Sequence, residues 1–440
     1  MLESTSEKNK LGLWTSTSLV VGNMIGAGVF LMPATLAAYG GISVFGWIVS
    51  SVGAFLLARV FANLSRLVPQ AEGGPYAYSR SGFGDFIGFL VAWGYWISIW
   101  CTNAAIAISF VSALSTFFPV LASSAVFAVA TGLGAIWLLT WVNSLGIVTS
   151  GKLQLVTTVL KIVPLLFVTI GGLFFLRIQH FTPFNTSGTS NFAAIAGTAT
   201  LTFFAFLGLE CATIPSGSVA NPGKTIPRAT MLGTLIATII YILSSVSVMG
   251  MIPAQDLQRS VTPFADAAVM IWGSNARYLV SGGVAIAAFG ALNGWLLIQG
   301  SIPYAIAKDK LFPVVFGRVN KKGVPVPGMV IGSVLISVLM IMNYTKGLAE
   351  QFKFLILLTT ITTLVPYIFS TAAYIIIRMR NKDLHSGRNG WAAAIVLAAA
   401  AFLFSLLAVA GSGQETVYWG FILLMTGVPF YVMILWKKRS

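Results

Sequence analysis

Charge is scarce in this chain of 440 residues: 8% are Asp, Glu, Lys or Arg, where a water-soluble domain carries about 25%. Hydrophobic residues reach 57%. Burying that much apolar surface in water would require a core larger than single domains build. A lipid bilayer removes the difficulty, because the outer surface is then apolar too. Acidic residues are scarcer than basic ones, 11 against 26, for a net charge of +15. The basic residues sit between apolar runs and not on a soluble, aromatic-rich face, which excludes nucleic acid as a partner. Cysteine is nearly absent. Cys101 and Cys211 both lie in apolar runs, which excludes a disulfide framework and suits small apolar fillers. The two histidines, His180 and His385, fall in separate loops, and neither a metal site nor a cofactor is expected. Nor is a cleavable leader expected: residues 1–10 are polar, and the first apolar stretch is too long for one.

What the chain has is long apolar runs. A spanning helix needs about 20 mostly apolar residues. Twelve segments fit, at roughly 12–38, 41–65, 84–116, 121–144, 153–176, 191–216, 228–252, 265–303, 325–345, 354–377, 391–411 and 416–436. The third and eighth are long enough to tilt or to extend beyond the membrane. Even parity puts both termini on one side. Placing that side in the cytoplasm puts every Lys and Arg there except Arg177, Arg259, Arg277, Lys346, Lys353 and the intramembrane Lys161. This is the bias the positive-inside rule requires.

The first span contains GNMIGAGVF, with Gly22, Gly26 and Gly28 at mid-depth. The sixth contains FFAFLGLECAT, with Gly208 and the acid Glu210. Glycine weakens a helix by about 1 kcal/mol relative to Ala and lets backbone groups approach a ligand closely. Each interruption opens a block of five helices. Paired interruptions at matching places in two halves point to an inverted-repeat transporter with a midplane site. Unwound backbone survives at that depth only where it lines a cavity. A half-helix N-terminus suits a carboxylate and a free C-terminal end suits an ammonium, so the two breaks together would clamp an α-amino acid. Close helix packing through small residues would explain one such cluster, but two in register, one beside a buried acid, favour a site.

Several motifs carry a resemblance. They are GAG at 26–28, EGGPYAYSRSGFG at 72–84, FFAFLGLE at 203–210, NPGKTIPRA at 221–229, AKDKLFPVVFGRVNKKGVP at 307–325 and LVPYIFSTAA at 364–373. On these the chain resembles the amino acid–polyamine–organocation superfamily over nearly its whole length. Within it, the chain looks most like the basic amino acid/polyamine antiporters of the arginine/agmatine type. The resemblance implies an all-α membrane protein of 12 transmembrane helices, with a LeuT-like 5+5 inverted repeat, helices 1 and 6 broken, and two further helices at the C-terminus. The corresponding divisions are a cytoplasmic tail at 1–11, repeats at 12–185 and 186–380, and helices 11 and 12 with a cytoplasmic C-terminus at 381–440. A bacterial inner-membrane location follows, with lipid and a small-molecule substrate as partners, and a homodimer is left open.

Carried over by motif, the backbone at Ala27 and Gly28 would receive a substrate carboxylate. Carbonyls near Phe204 and Leu207 would receive its ammonium. Asn103 matches a side-chain-binding amide, Trp295 an aromatic wall, and Ser98 and Thr359 small polar contacts. Tyr95 and Tyr367 match gating aromatics and Glu210 a gating acid. Three features depart from the arginine type. Phe204 replaces a tryptophan, a weaker π-face for a cation. Ile99 and Ile106 make the side pocket more apolar. Lys161 replaces a small residue and resembles the lysine that, in proton-coupled and sodium-independent carriers, takes the place of a sodium ion.

Glu210 and Lys161 are the two ionisable acid or base groups expected deep in lipid, where a charge costs about 2.5–3.5 kcal/mol even on lenient insertion scales. Each is a candidate for proton coupling or for a fixed structural strut. The leading expectation is an antiporter of basic amino acid/polyamine type working by alternating access. The alternative is a proton-coupled or sodium-independent permease of broader specificity. An intramembrane enzyme would need paired carboxylates, a His-rich metal site or an activated Ser or Cys, and a channel would need rings of charge or filter loops. Neither pattern is present in the sequence.

Overall fold

The computed structural model describes residues 10–69, 71–260, 262–342, 348–380 and 388–439. His385, and parts of the expected N-terminal tail and of the loop after the tenth span, lie outside them. The helices used below are α1 (Leu13–Met24), α2 (Ala27–Ala37), α3 (Ser43–Leu67), α4 (Pro75–Phe83), α5 (Asp85–Leu114), α6 (Ala125–Ser144), α7 (Ile147–Leu173), α8 (Asn191–Phe203), α9 (Pro222–Met251), α10 (Pro263–Trp272), α11 (Ala276–Lys308), α12 (Val326–Met342), α13 (Leu348–Arg380), α14 (Arg388–Gly411), α15 (Gln414–Met425) and α16 (Gly427–Arg439). Among the described residues no sheet forms, and eleven stretches are long and apolar enough to cross a bilayer. This is an all-α, multi-pass membrane architecture.

The outer surface is apolar as lipid demands: Val159, Val163, Phe192, Val396 and Leu403 are all exposed. On α7 the exposed Val159 and Val163 share the helix with a buried stripe of Thr157, Lys161, Leu165 and Val168. Their spacing of three and four residues puts the buried set on one face. α5 is buried around most of its circumference and runs through the centre, packed on α11 and α13.

The first span is two helices. α1 ends at Met24, Ile25 and Gly26 are non-helical, and α2 begins at Ala27. The sixth span departs from a continuous helix over 191–216 more strongly. α8 stops at Phe203, a 3₁₀ turn covers Phe204–Phe206, and after Leu209 only single 3₁₀ turns at Cys211–Thr213 and Ser216–Ser218 follow. Gly208 adopts φ +109°, a backbone state that glycine reaches without a Cβ penalty. The eighth span, read as one segment at 265–303, is two helices. Gly273 (φ +83°) ends α10, and α11 starts at Ala276. Phe264 of α10 meets Phe30 of α2 edge to face, with centroids 5.2 Å apart, and Asp266 pairs with Arg277 at 2.9 Å. The ninth segment, α12, has 17 residues and is short for an untilted crossing. The last is kinked between α15 and α16.

Candidate functional site

The two helix breaks touch. A Cβ built on Gly208 would lie 3.2 Å from the Cβ of Asn23 and 3.4 Å from the backbone nitrogen of Met24. The last four carbonyls of a helix lack partners within it. At the end of α1 the Val21 and Met24 carbonyls accept from Ile25 and Gly26, and the two between them find partners on other helices. The Gly22 carbonyl accepts from the Lys161 ammonium, reaching over from α7. The Asn23 carbonyl accepts from the Trp295 indole N–H at 3.2 Å. Lys161 is fully buried and forms no ion pair with a carboxylate among the described residues. Its charge is compensated by the negative end of the α1 dipole and by direct donation to a carbonyl.

In the sixth span, the Phe204 carbonyl accepts from Leu207 N–H at 3.1 Å, and the Ala205 carbonyl accepts from the Tyr241 hydroxyl at 2.8 Å. The Leu207 carbonyl accepts nothing among the described residues. Two residues past Gly208, both carboxylate oxygens of Glu210 are taken. Tyr95 of α5 donates to one and Tyr367 of α13 to the other. All three side chains are fully buried. The carboxylate thus ties the broken sixth span to the two helices that flank it.

The remaining expected residues fall as follows. Ala27 and Gly28 form the first turn of α2, whose leading N–H groups have no intrahelical acceptor; their side chains lie outside the described set. Ser98 donates back to the Tyr95 carbonyl at 2.7 Å. Asn103 donates to the Gln299 side chain at 2.9 Å and touches neither break through a hydrogen bond. The Thr359 hydroxyl and the Asn103 oxygen are buried and without partners among the described residues. Phe204 and Trp295 keep only a few per cent of their surface exposed.

A cavity of about 920 Å³ opens toward the end of the molecule that carries α10. Its lining includes Leu31, Ile108, Leu201 and Leu357. Each of these lies on the cavity side of, and two to five residues from, a candidate residue: Gly28, Asn103, Phe204 and Thr359 respectively. Among the described residues, none of the candidates themselves lines the cavity. At the opposite end a second pocket of about 650 Å³ is bordered by charged residues that pair with one another. There Lys308 pairs with Glu72 at 3.1 Å, and Arg80 bridges Asp85 and Asp309 at 2.7 and 2.6 Å. Tyr76 donates to Asp309 at 2.7 Å. Burial, reinforced by the Asp309 carboxylate, pushes the Tyr76 phenol above its usual pKa, so it stays a neutral donor. Gly74, at φ +54°, lets the chain press against Thr213 where a side chain would collide.

The motif resemblance pointed to Glu210, its two tyrosines and Lys161, but not to their neighbours. Gln299, Tyr241 and the carbonyl of Asn23 were missed. Gln299 left a visible signal, a lone amide in the apolar run WLLIQG one helical turn after Trp295.

The sequence profile of the amino acid permease family matches residues 11–434. The cadaverine/lysine antiporter of Escherichia coli is 34% identical, over 99% of this chain and 97% of that protein. A putative arginine/ornithine antiporter of Bacillus subtilis is 31% identical, over 97% of each chain. The putrescine transporter PotE of Haemophilus influenzae is 30% identical, over 98% and 99%. Among solved structures, mutant forms of a manganese transporter of Eremococcus coleocola superpose with a TM-score of 0.62 at 13–14% identity, over 99% of this chain and 95% of theirs. At that identity they show a shared fold.

Proposed function

Since the chain belongs to the amino acid permease family, we propose that it is a secondary antiporter exchanging a basic amino acid for a diamine or other decarboxylated amine by alternating access in a bacterial inner membrane. The full-length likeness to antiporters and a transporter named for lysine, cadaverine, arginine, ornithine and putrescine supports the substrate class. The observation that carries the mechanism is the contact of the two helix breaks at Gly208 and Asn23. In this reading, the start of α2 at Ala27 and Gly28 receives a carboxylate where one is present. The free Leu207 carbonyl and the Phe204 turn receive the α-ammonium. Asn103, Thr359 and Ser98 serve the distal end, with Trp295 and Phe204 as walls. Tyr95, Glu210 and Tyr367 form the gate beneath.

The finer architecture belongs to the same proposal. α12 is taken as a twelfth, tilted crossing, residues 12–185 and 186–380 as inverted repeats, and 381–440 as the appended helices. The basic end, with both termini, is then cytoplasmic, and the arrangement described above is open to the outside. A second reading, a sodium-independent or proton-coupled permease of broader specificity, draws on Lys161 standing against the Gly22 carbonyl.

Counterflow in proteoliposomes separates the two readings. Exchange of labelled lysine should depend on lysine or cadaverine on the opposite side and should not be driven by a proton gradient alone. Uptake into empty vesicles driven by a proton gradient would overturn the antiport reading.

A further inference from the structure

Gln299 of α11 is fully buried. Its side-chain nitrogen donates to the Met329 carbonyl at 2.9 Å and to the Ser333 hydroxyl at 3.3 Å, both on α12. A backbone carbonyl only accepts, so the nitrogen must face α12. The Gln299 oxygen is thereby turned toward α5, where it accepts from the Asn103 nitrogen at 2.9 Å. The same constraint passes one residue further. Asn103 must present its nitrogen to Gln299, and its oxygen is left over, buried and without a partner among the described residues. Gly332 makes the close approach possible, because a Cβ there would collide with the Gln299 carboxamide. Ser333 in turn shares a hydrogen bond of 2.7 Å with Thr140 of α6. The relay is therefore anchored in helices remote from either break.

We propose that Gln299 is a positioning residue that sets the polarity of the substrate pocket. It locks Asn103 with its oxygen free, so the pocket favours a ligand whose distal end donates hydrogen bonds, an ammonium, over an isostere that lacks one. A buried acceptor without a donor is unfavourable until the ligand supplies one. An amide that flips would instead offer a donor to a cation and lose that preference. The inference rests on the reading of Asn103 as a ligand contact.

The test is titration calorimetry of the purified full-length protein with lysine and with norleucine, which lacks the distal ammonium. Wild type is expected to bind lysine at least about tenfold more tightly. Gln299→Met, similar in length to glutamine, should weaken lysine about tenfold and leave norleucine nearly unchanged. Gln299→Glu should keep the preference, since a protonated carboxyl still donates to Met329 and accepts from Asn103. Adding Asn103→Asp to Gln299→Met should restore it, because a carboxylate has two equivalent acceptor oxygens and needs no orienting. Equal losses for both ligands, or no recovery in the double variant, would overturn the proposal and leave Gln299 a packing residue. A wild type that neither binds nor exchanges lysine and cadaverine would instead sink the antiporter reading, and this inference with it.

Discussion

Gly208 rests directly on Asn23, so the two interrupted spans are locked by one residue that has no side chain. A Cβ added to Gly208 would come within 3.2 Å of the Asn23 Cβ, and the φ of +109° disfavours any side chain there. Gly208→Ala should cost about 1–3 kcal/mol through backbone strain and force the breaks apart. The expected result is a protein that inserts but exchanges lysine at a small fraction of the wild-type rate. Wild-type exchange and melting temperature in this variant would show that the breaks need not touch.

Glu210 accepts from two buried tyrosines, and removing it strands both hydroxyls. Glu210→Ala should abolish exchange while the protein still inserts and elutes as a single species. Each unpaired hydroxyl costs about 1–3 kcal/mol. Tyr95→Phe and Tyr367→Phe each remove one donor and should reduce exchange less than Glu210→Ala does. Assaying all three in proteoliposomes tests the arrangement, and a fully active Glu210→Ala would contradict it.

Lys161 and Trp295 close the free end of α1 through adjacent carbonyls. Lys161→Met and Trp295→Phe each remove one donor, and exchange should fall about tenfold or more. The charged hydrogen bond, at about 1.5–3 kcal/mol, outweighs the neutral one at about 0.5–1.5, so Lys161→Met should be the more damaging. Initial rates of lysine exchange decide the order, and the reverse order would remove the charge from the explanation.

The basic end carries ion pairs that are one-third to one-half exposed, each contributing at most about 1 kcal/mol. Such contacts bias a conformational balance with little effect on fold stability. In a Cys101→Ala background, Lys308→Ala or Asp309→Asn should speed maleimide labelling of the buried Cys211, with a melting temperature close to that of the parent. Unchanged labelling would mean that these pairs do not hold that end shut.

The breaks at 25–26 and 204–210 were legible because glycine and a lone acid interrupt runs that should be uniformly apolar. Two features were not. The apolar character of 265–303 continues through the turn at Gly273, so hydropathy joined α10 to α11; the run GSN at 273–275 and the charges Asp266 and Arg277 were the local signs. The second half of the sixth span looked helical because its residues are apolar. Its lack of regular helix has a local part, Gly208 at φ +109° and Pro215, and a tertiary part, Tyr241 on the Ala205 carbonyl and Tyr95 and Tyr367 on Glu210, that no local pattern encodes. Asn103 was found by motif, whereas its dependence on Gln299 needed the helices in place, since 196 positions separate them.

Phe30 and Phe264 join the second half of the broken first span to the short α10. Any displacement of α2 therefore either carries α10 with it or breaks that ring contact, so a helix outside the broken span shares the cost of moving it.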